Sequence, residues 1–88
     1  MADETTPTFE LFHSIADPGS AKVRRWVVDH DFGEHVRFRN VTYPEVQADL
    51  TARGGDGAPA LWDGTVLLSG ADAIIARLAA HADVGRRG

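Results

Sequence analysis

The sequence predicts a small α/β domain: a four-stranded mixed sheet with helices on both faces, in the order strand, helix, strand, helix, strand, strand, helix. Three observations lead there. Two strand-like apolar segments, Thr8 to Ile15 and His35 to Val41, flank an amphipathic helical segment. Such a strand–helix–strand unit requires a parallel pair joined by a right-handed crossover. Asp63-Gly64 is a two-residue hairpin signal, which makes the last two strands antiparallel. The 88 residues suffice for one domain with a core of its own.

The first strand mixes alternation with an apolar run. Phe9, Leu11, His13 and Ile15 share one face and Phe12 lies on the other, the pattern of a central strand covered on both sides. Asp17-Pro18 then opens a helix, Asp as the N-cap acceptor and Pro at the first helical position. Val23, Trp26, Val27 and His30, at i, i+3, i+4 and i+7, form its inner stripe, and Gly33 is the expected stop, with the helix reaching about Asp31. His35 to Val41 alternates Val36 and Phe38 against Arg37 and Arg39, a second strand. Pro44 opens a second helix with Val46 and Leu50 as its apolar pair, ended by Gly54-Gly55. Ala58 to Trp62 and Thr65 to Leu68 are the hairpin strands. Ser69 and Asp72 have the spacing of a capping box for a last helix that carries Ile74, Ile75 and Leu78 to about His81. Residues 1–7 and 82–88 read as polar flexible tails around a domain of residues 8–81.

Composition narrows the chemistry. There is no cysteine, which excludes a disulfide framework, thiolate metal sites and any thiol nucleophile within this chain. A net charge of −4 argues against nucleic acid as a partner. No stretch approaches the ~20 apolar residues of a membrane span, and the acidic start, Met1 to Pro7, lacks the regions of a signal peptide. The expected setting is the cytoplasm. His30 and His35, near Asp29, Asp31 and Glu34, show no ligand frame for a metal and read as a solvated turn.

Three segments carry a resemblance to the thioredoxin-like superfamily, to glutaredoxins and the N-terminal domain of glutathione transferases in particular. Asp17-Pro18-Gly19-Ser20-Ala21-Lys22-Val23-Arg24 is similar to the glutaredoxin Cys-Pro-x-Cys segment and to the transferase Ser-Pro-x-Ser-x-Lys-Val-Arg. Gly57-Ala58-Pro59-Ala60-Leu61 resembles the family's Val-Pro stretch, whose proline is cis. Leu68-Ser69-Gly70-Ala71-Asp72 resembles the turn that opens the last helix. The resemblance implies a groove formed by Asp17, Ser20, Lys22, Ala58, Pro59, Gly70, Ala71 and Asp72. In relatives that groove takes glutathione or an extended peptide.

The departures fall on the chemistry. The nucleophile position of glutaredoxins is Asp17 and the resolving position is Ser20, neither able to exchange a disulfide. A carboxylate at Asp17 repels a glutathione thiolate, and the transferase Glu-Ser pair is replaced by Gly70-Ala71. The helical second domain of a transferase is not expected within these 88 residues.

Each residue also has a plain reading. Asp17 is read first as an N-cap worth ~1 kcal/mol and Ser20 as a first-turn serine whose one candidate base is His13, while a capping box explains Ser69 and Asp72 as well as a ligand does. Pro59, if cis, leaves the Ala58 backbone open to pair with an extended peptide. Lys22 and Arg53 read either as partners of a glycyl carboxylate or as solvated surface charges, and Trp26 and Trp62 as core or rim residues. Two functions follow. One is a cysteine-less glutaredoxin-like domain without thiol–disulfide activity or catalytic residues, binding a protein partner and needing no cofactor. The alternative is a glutathione-binding protein or transferase-like enzyme using the Pro59/Asp72 groove.

Overall fold

The computed structural model describes residues 9–87, with side-chain environments through residue 82. The tail expected at residues 1–7 lies outside the described residues.

Phe9–His13 forms β1, and with Phe9 and Leu11 on one side and Phe12 on the other it has apolar side chains to bury on both faces, as the centre of the sheet requires. β1 pairs in parallel with β2 (Val36–Asn40), from Phe9 opposite Val36 to His13 opposite Asn40. On its other side it pairs antiparallel with β3 (Ala60–Trp62), Phe12 opposite Ala60. β3 in turn pairs antiparallel with β4 (Leu67–Ser69), giving the order β2-β1-β3-β4. The crossover pair and the hairpin are those the sequence predicts. The β1–β3 contact, which no local motif encodes, joins them into one mixed sheet.

Helices cover both faces. α1 (Pro18–Asp29) and α3 (Ala71–Arg87) lie on one side, where Phe9, Leu11, Val23, Val27, Leu61, Ile74 and Leu78 form the larger core cluster. α2 (Pro44–Ala52) lies on the other, where Val46 and Leu50 close over Phe12 and Ala60. The alternation of Leu11 and Phe12 across β1 therefore feeds two separate clusters, and burial of these apolar side chains supplies the main driving force for the fold. Within α1 the buried positions are Ser20, Val23 and Val27. Trp26 packs at the edge of the cluster, and His30 is exposed and stacks on Trp26 with ring centroids 4.1 Å apart.

Several boundaries differ from the sequence expectation, each for a local reason. β1 ends at His13, where the chain turns with Asp17 N–H donating to Ser14 O, and Ile15, expected on its buried face, is 66% exposed. β3 begins at Ala60, not Ala58, because Pro59 has no N–H to give a ladder. α1 ends at Asp29, before Gly33 is reached. Asp31 takes a left-handed conformation (φ 52°), Asp31 N–H donates to Val28 O and Phe32 N–H to Val27 O. That is the Schellman pattern with aspartate at the position glycine usually holds. Phe32, 6% exposed, is the apolar residue that the turn folds back into the core. Gly33 instead opens a short 3-10 turn, Gly33–His35. β4 starts at Leu67, not Thr65, because Asp63 Oδ1 accepts from the amides of both Thr65 and Val66, each at 2.9 Å, and holds them out of the ladder. The capping box does not form. Ser69 stays in β4, and the Asp72 carboxylate accepts from Lys22 in place of a helix amide. Finally, α3 continues to Arg87 where a flexible tail was expected from residue 82. Ala79, Ala80 and Ala82 are strong helix formers, residues 82–88 hold no proline, and Gly85 costs only about 1 kcal/mol relative to alanine. Among the described residues no helix is long and apolar enough to cross a membrane.

Candidate functional site

The register brings the three family-like segments to one end of the sheet. β1 ends at His13 and feeds α1, and β3 begins beside that end because Ala60 lies opposite Phe12. β4 ends there too, since Ser69 lies opposite Ala60, and α3 follows at once.

Asp17 has extended backbone (φ −92°, ψ 124°), and its Oδ2 accepts from Ser20 N–H at 2.6 Å, the N-cap bond the Asp-Pro start predicts. Ser20 is fully buried, and its Oγ accepts from Ser14 N–H at 3.0 Å, which fixes the loop between β1 and α1. Gly19 is needed for a close approach. A Cβ placed there would stand 3.2 Å from Asp17 Oδ2 and 3.3 Å from Pro59 Cδ, so the first turn of α1 rests on Pro59. The Ala58–Pro59 peptide bond is cis, as the resemblance implies. Pro59 O accepts from Gly70 N–H at 3.3 Å, and Gly70, with φ +92°, turns the chain from β4 into α3. Ala71 is half-buried against the larger core. Ala58 is half-buried, and among the described residues its N–H and C=O have no backbone partner.

Lys22 Nζ meets Asp72 Oδ1 at 2.9 Å across α1 and α3. Lys22's hydrogen bond, then its charge, holds the Asp72 carboxyl below its usual 3.8. Both side chains are well exposed, 61% and 91%, so water and salt screen the pair. Six of the eight groove residues read from the sequence thus reach the surface, Asp17, Ala58, Pro59, Gly70 and Asp72 as a rim with Lys22 across it. Ser20 lies beneath it, and Ala71 faces the core. Arg53, the other cation considered for a carboxylate, is elsewhere. It sits over the α2 face, its Nη1 buried and 3.3 Å from Glu10 Oε2 without hydrogen-bond alignment, its guanidinium 5.0 Å from the Trp62 ring.

His13 is not a base for Ser20: its Nδ1 is 3.2 Å from Arg24 Nη1, which also donates to Ser14 O. Burial, and then the Arg24 charge, push the His13 pKa below 6.5. Among the described residues no three metal-ligating side chains converge.

Two constellations escaped sequence reading. On the α2 face, Arg39 Nη1 bridges Glu10 Oε1 at 2.7 Å and Asp49 Oδ2 at 3.0 Å, beneath Arg53. Burial works against the Arg39 charge, but the hydrogen bonds it donates to Glu10 and Asp49, with their charges, outweigh burial and raise its pKa. On the opposite face, a groove of about 620 Å³ opens between α1 and β2, with His13, Arg24, Val28 and Phe38 in its wall. Ala21, Arg24, Arg25 and Val28 recur at i, i+3, i+4 and i+7, a stripe the sequence does display. Only the edge position of β2 leaves it uncovered.

No family model, curated protein or solved structure matches this chain.

Proposed function

We propose that this chain is a thioredoxin-like, glutaredoxin-like domain without thiol–disulfide chemistry, a cytoplasmic module that binds an extended segment of a protein partner at the Asp17–Pro59–Asp72 end. The observation that carries this reading is the use made of the two thiol positions. Asp17 caps α1 and Ser20 is buried, bonded to the Ser14 amide, so both are committed to structure. Beside them, the Ala58 N–H and C=O are available for strand addition, which needs backbone groups and no reactive side chain. The strand order β2-β1-β3-β4 and the meeting of the three family-like segments support the same reading.

The glutathione alternative draws on one feature, the start of α3 at Ala71-Asp72 beside Pro59, where free helix amides suit a carboxylate. Against it, the Asp17 carboxylate occupies the thiolate's place, and Lys22 and Asp72 already satisfy one another.

The test has two arms. Melting is followed with and without several millimolar glutathione, with a transferase assay on a general electrophile. No shift and no turnover are expected, whereas ligand at 100 times its dissociation constant would add ~2.7 kcal/mol of stability. In the second arm, binders selected from a displayed random-peptide library are titrated into 15N-labelled protein. Shifts at Ala58 and Gly70 support the module. Glutathione binding lost in Asp72→Ala, or peptides that never perturb Ala58, overturn it.

A further inference from the structure

The geometry points to a second site: the groove between α1 and β2 binds a small amphipathic monoanion, an apolar body carrying one carboxylate. It is distinct from the peptide-binding end, since Lys22 projects toward α3 while the groove stripe lies on another side of α1.

The walls are apolar and open. Val28 on α1 is 74% exposed and Phe38 on β2 is 40% exposed, and the two side chains face one space with Ala21 beside them. The volume of about 620 Å³ falls within the ~300–1,000 Å³ typical of small-molecule sites, whose lining is mostly apolar with a few placed polar groups.

The polar group here is Arg24. Its guanidinium only donates, so its contact with His13 Nδ1 makes that nitrogen the acceptor and puts the proton of the neutral ring on Nε2. A second bond to Ser14 O fixes the same Nη1. The His13 ring is itself held edge-on to Phe38, centroids 5.6 Å apart at 86°. Arg24 is therefore positioned before any ligand arrives, yet among the described residues no carboxylate lies within ion-pair distance of it. Its neighbour Arg25 only loosely pairs with Asp29, Nε to Oδ2 3.8 Å, so the rim carries two guanidiniums against one carboxylate. An anchored, uncompensated guanidinium beside exposed valine and phenylalanine matches a carboxylate attached to a hydrocarbon. A neutral lipid leaves Arg24 unanswered, and a cation is repelled.

The probe is sodium decanoate below its micellar concentration, titrated into the full 15N-labelled chain, with decanol and decyltrimethylammonium as controls. Decanoate is expected to give saturable shifts at Ala21, Arg24, Val28 and Phe38 and to bind at least about tenfold more tightly than decanol, since hydrogen bonds to a charged group carry that much. Arg24→Gln should reduce decanoate to the decanol level. Val28→Asp, at an exposed position that leaves the core untouched, should abolish binding while the chain stays folded, with at most the few degrees of melting temperature that a carboxylate in the last turn of α1 costs. Equal binding of decanoate and decanol, shifts confined to other residues, or undiminished binding in Val28→Asp would overturn the proposal. So would a self-associated chain that excludes decanoate and becomes monomeric in Val28→Asp, because a second copy would then fill the groove.

Discussion

Lys22 Nζ and Asp72 Oδ1 stand 2.9 Å apart, an ion pair between residues fifty positions apart that joins the second turn of α1 to the first turn of α3. Its position makes it a clasp over the candidate groove, and its exposure makes it a weak one. In Lys22→Gln the Asp72 carboxyl, now held below 3.8, is expected to titrate closer to that value in a 13C NMR titration. The melting temperature should be unchanged, because a solvent-exposed pair contributes little to stability. A fall of several degrees would show the clasp to be a structural element of the fold.

Arg39 is the opposite case. Its side chain is 15% exposed and neutralises Glu10 and Asp49 on a face that also buries Phe12. Arg39→Ala leaves Arg53 alone against two half-buried carboxylates. Removing one partner of such a cluster costs about 3 kcal/mol, a large part of the ~4–13 kcal/mol available to a domain of this length. Urea denaturation should show the midpoint falling by that amount with the slope retained. A loss within ~0.5 kcal/mol would mean that Arg53 and water replace Arg39 fully.

What the sequence made legible, and what it hid, divides along the range of the interactions. Asp17-Pro18, Pro44 and Gly54 act within one turn of backbone, and the starts of α1 and α2 and the end of α2 follow from them. The central strand was legible because Phe9 and Leu11 on one face and Phe12 on the other put apolar side chains on both sides. Boundaries that depend on a partner distant in sequence were not. Asp72 abandons the capping box for Lys22, and Arg39 and Arg53 read as alternating or surface charges until Glu10 is placed beneath them. The α1 stripe of Ala21, Arg24, Arg25 and Val28 was present in the sequence, but only the edge position of β2 turns it into a groove.

Asp31 offers a direct stability gain. With φ 52° and both Schellman bonds in place, it adopts a conformation that costs an L-residue roughly 1–2 kcal/mol, less for aspartate than for most. Its side chain is exposed and makes no hydrogen bond among the described residues. Asp31→Gly should therefore raise stability by about 0.5–1 kcal/mol in chemical denaturation, the relief of the left-handed backbone exceeding the added freedom of the unfolded glycine. Asp31→Val, β-branched at the same φ, should lower it. An unchanged or reduced midpoint for Asp31→Gly would show that the carboxylate supports the turn.

His13 gives the fold a pH dependence whose sign is fixed by its surroundings. Burial first, and Arg24 second, disfavour the charged ring, so the folded-state pKa lies below the 6.5 of an exposed histidine. In the window between those two values the unfolded chain binds the proton more readily, and stability rises with pH there. The stabilisation is fully present above 6.5, is lost as pH falls through the window, and changes no further once both states are protonated. Unfolding midpoints in urea should therefore drop as the pH is lowered through 6.5 toward the folded-state value below it. His13→Asn keeps an acceptor near Nδ1 for Arg24 but cannot titrate, and it should flatten that part of the profile while leaving the acid limb, where Asp63 and its bonds to the Val66 and Thr65 amides protonate below 3.8, in place. A wild-type profile that stays level across the histidine range, or an identical slope in His13→Asn, would show that Arg24 and burial do not govern the ring.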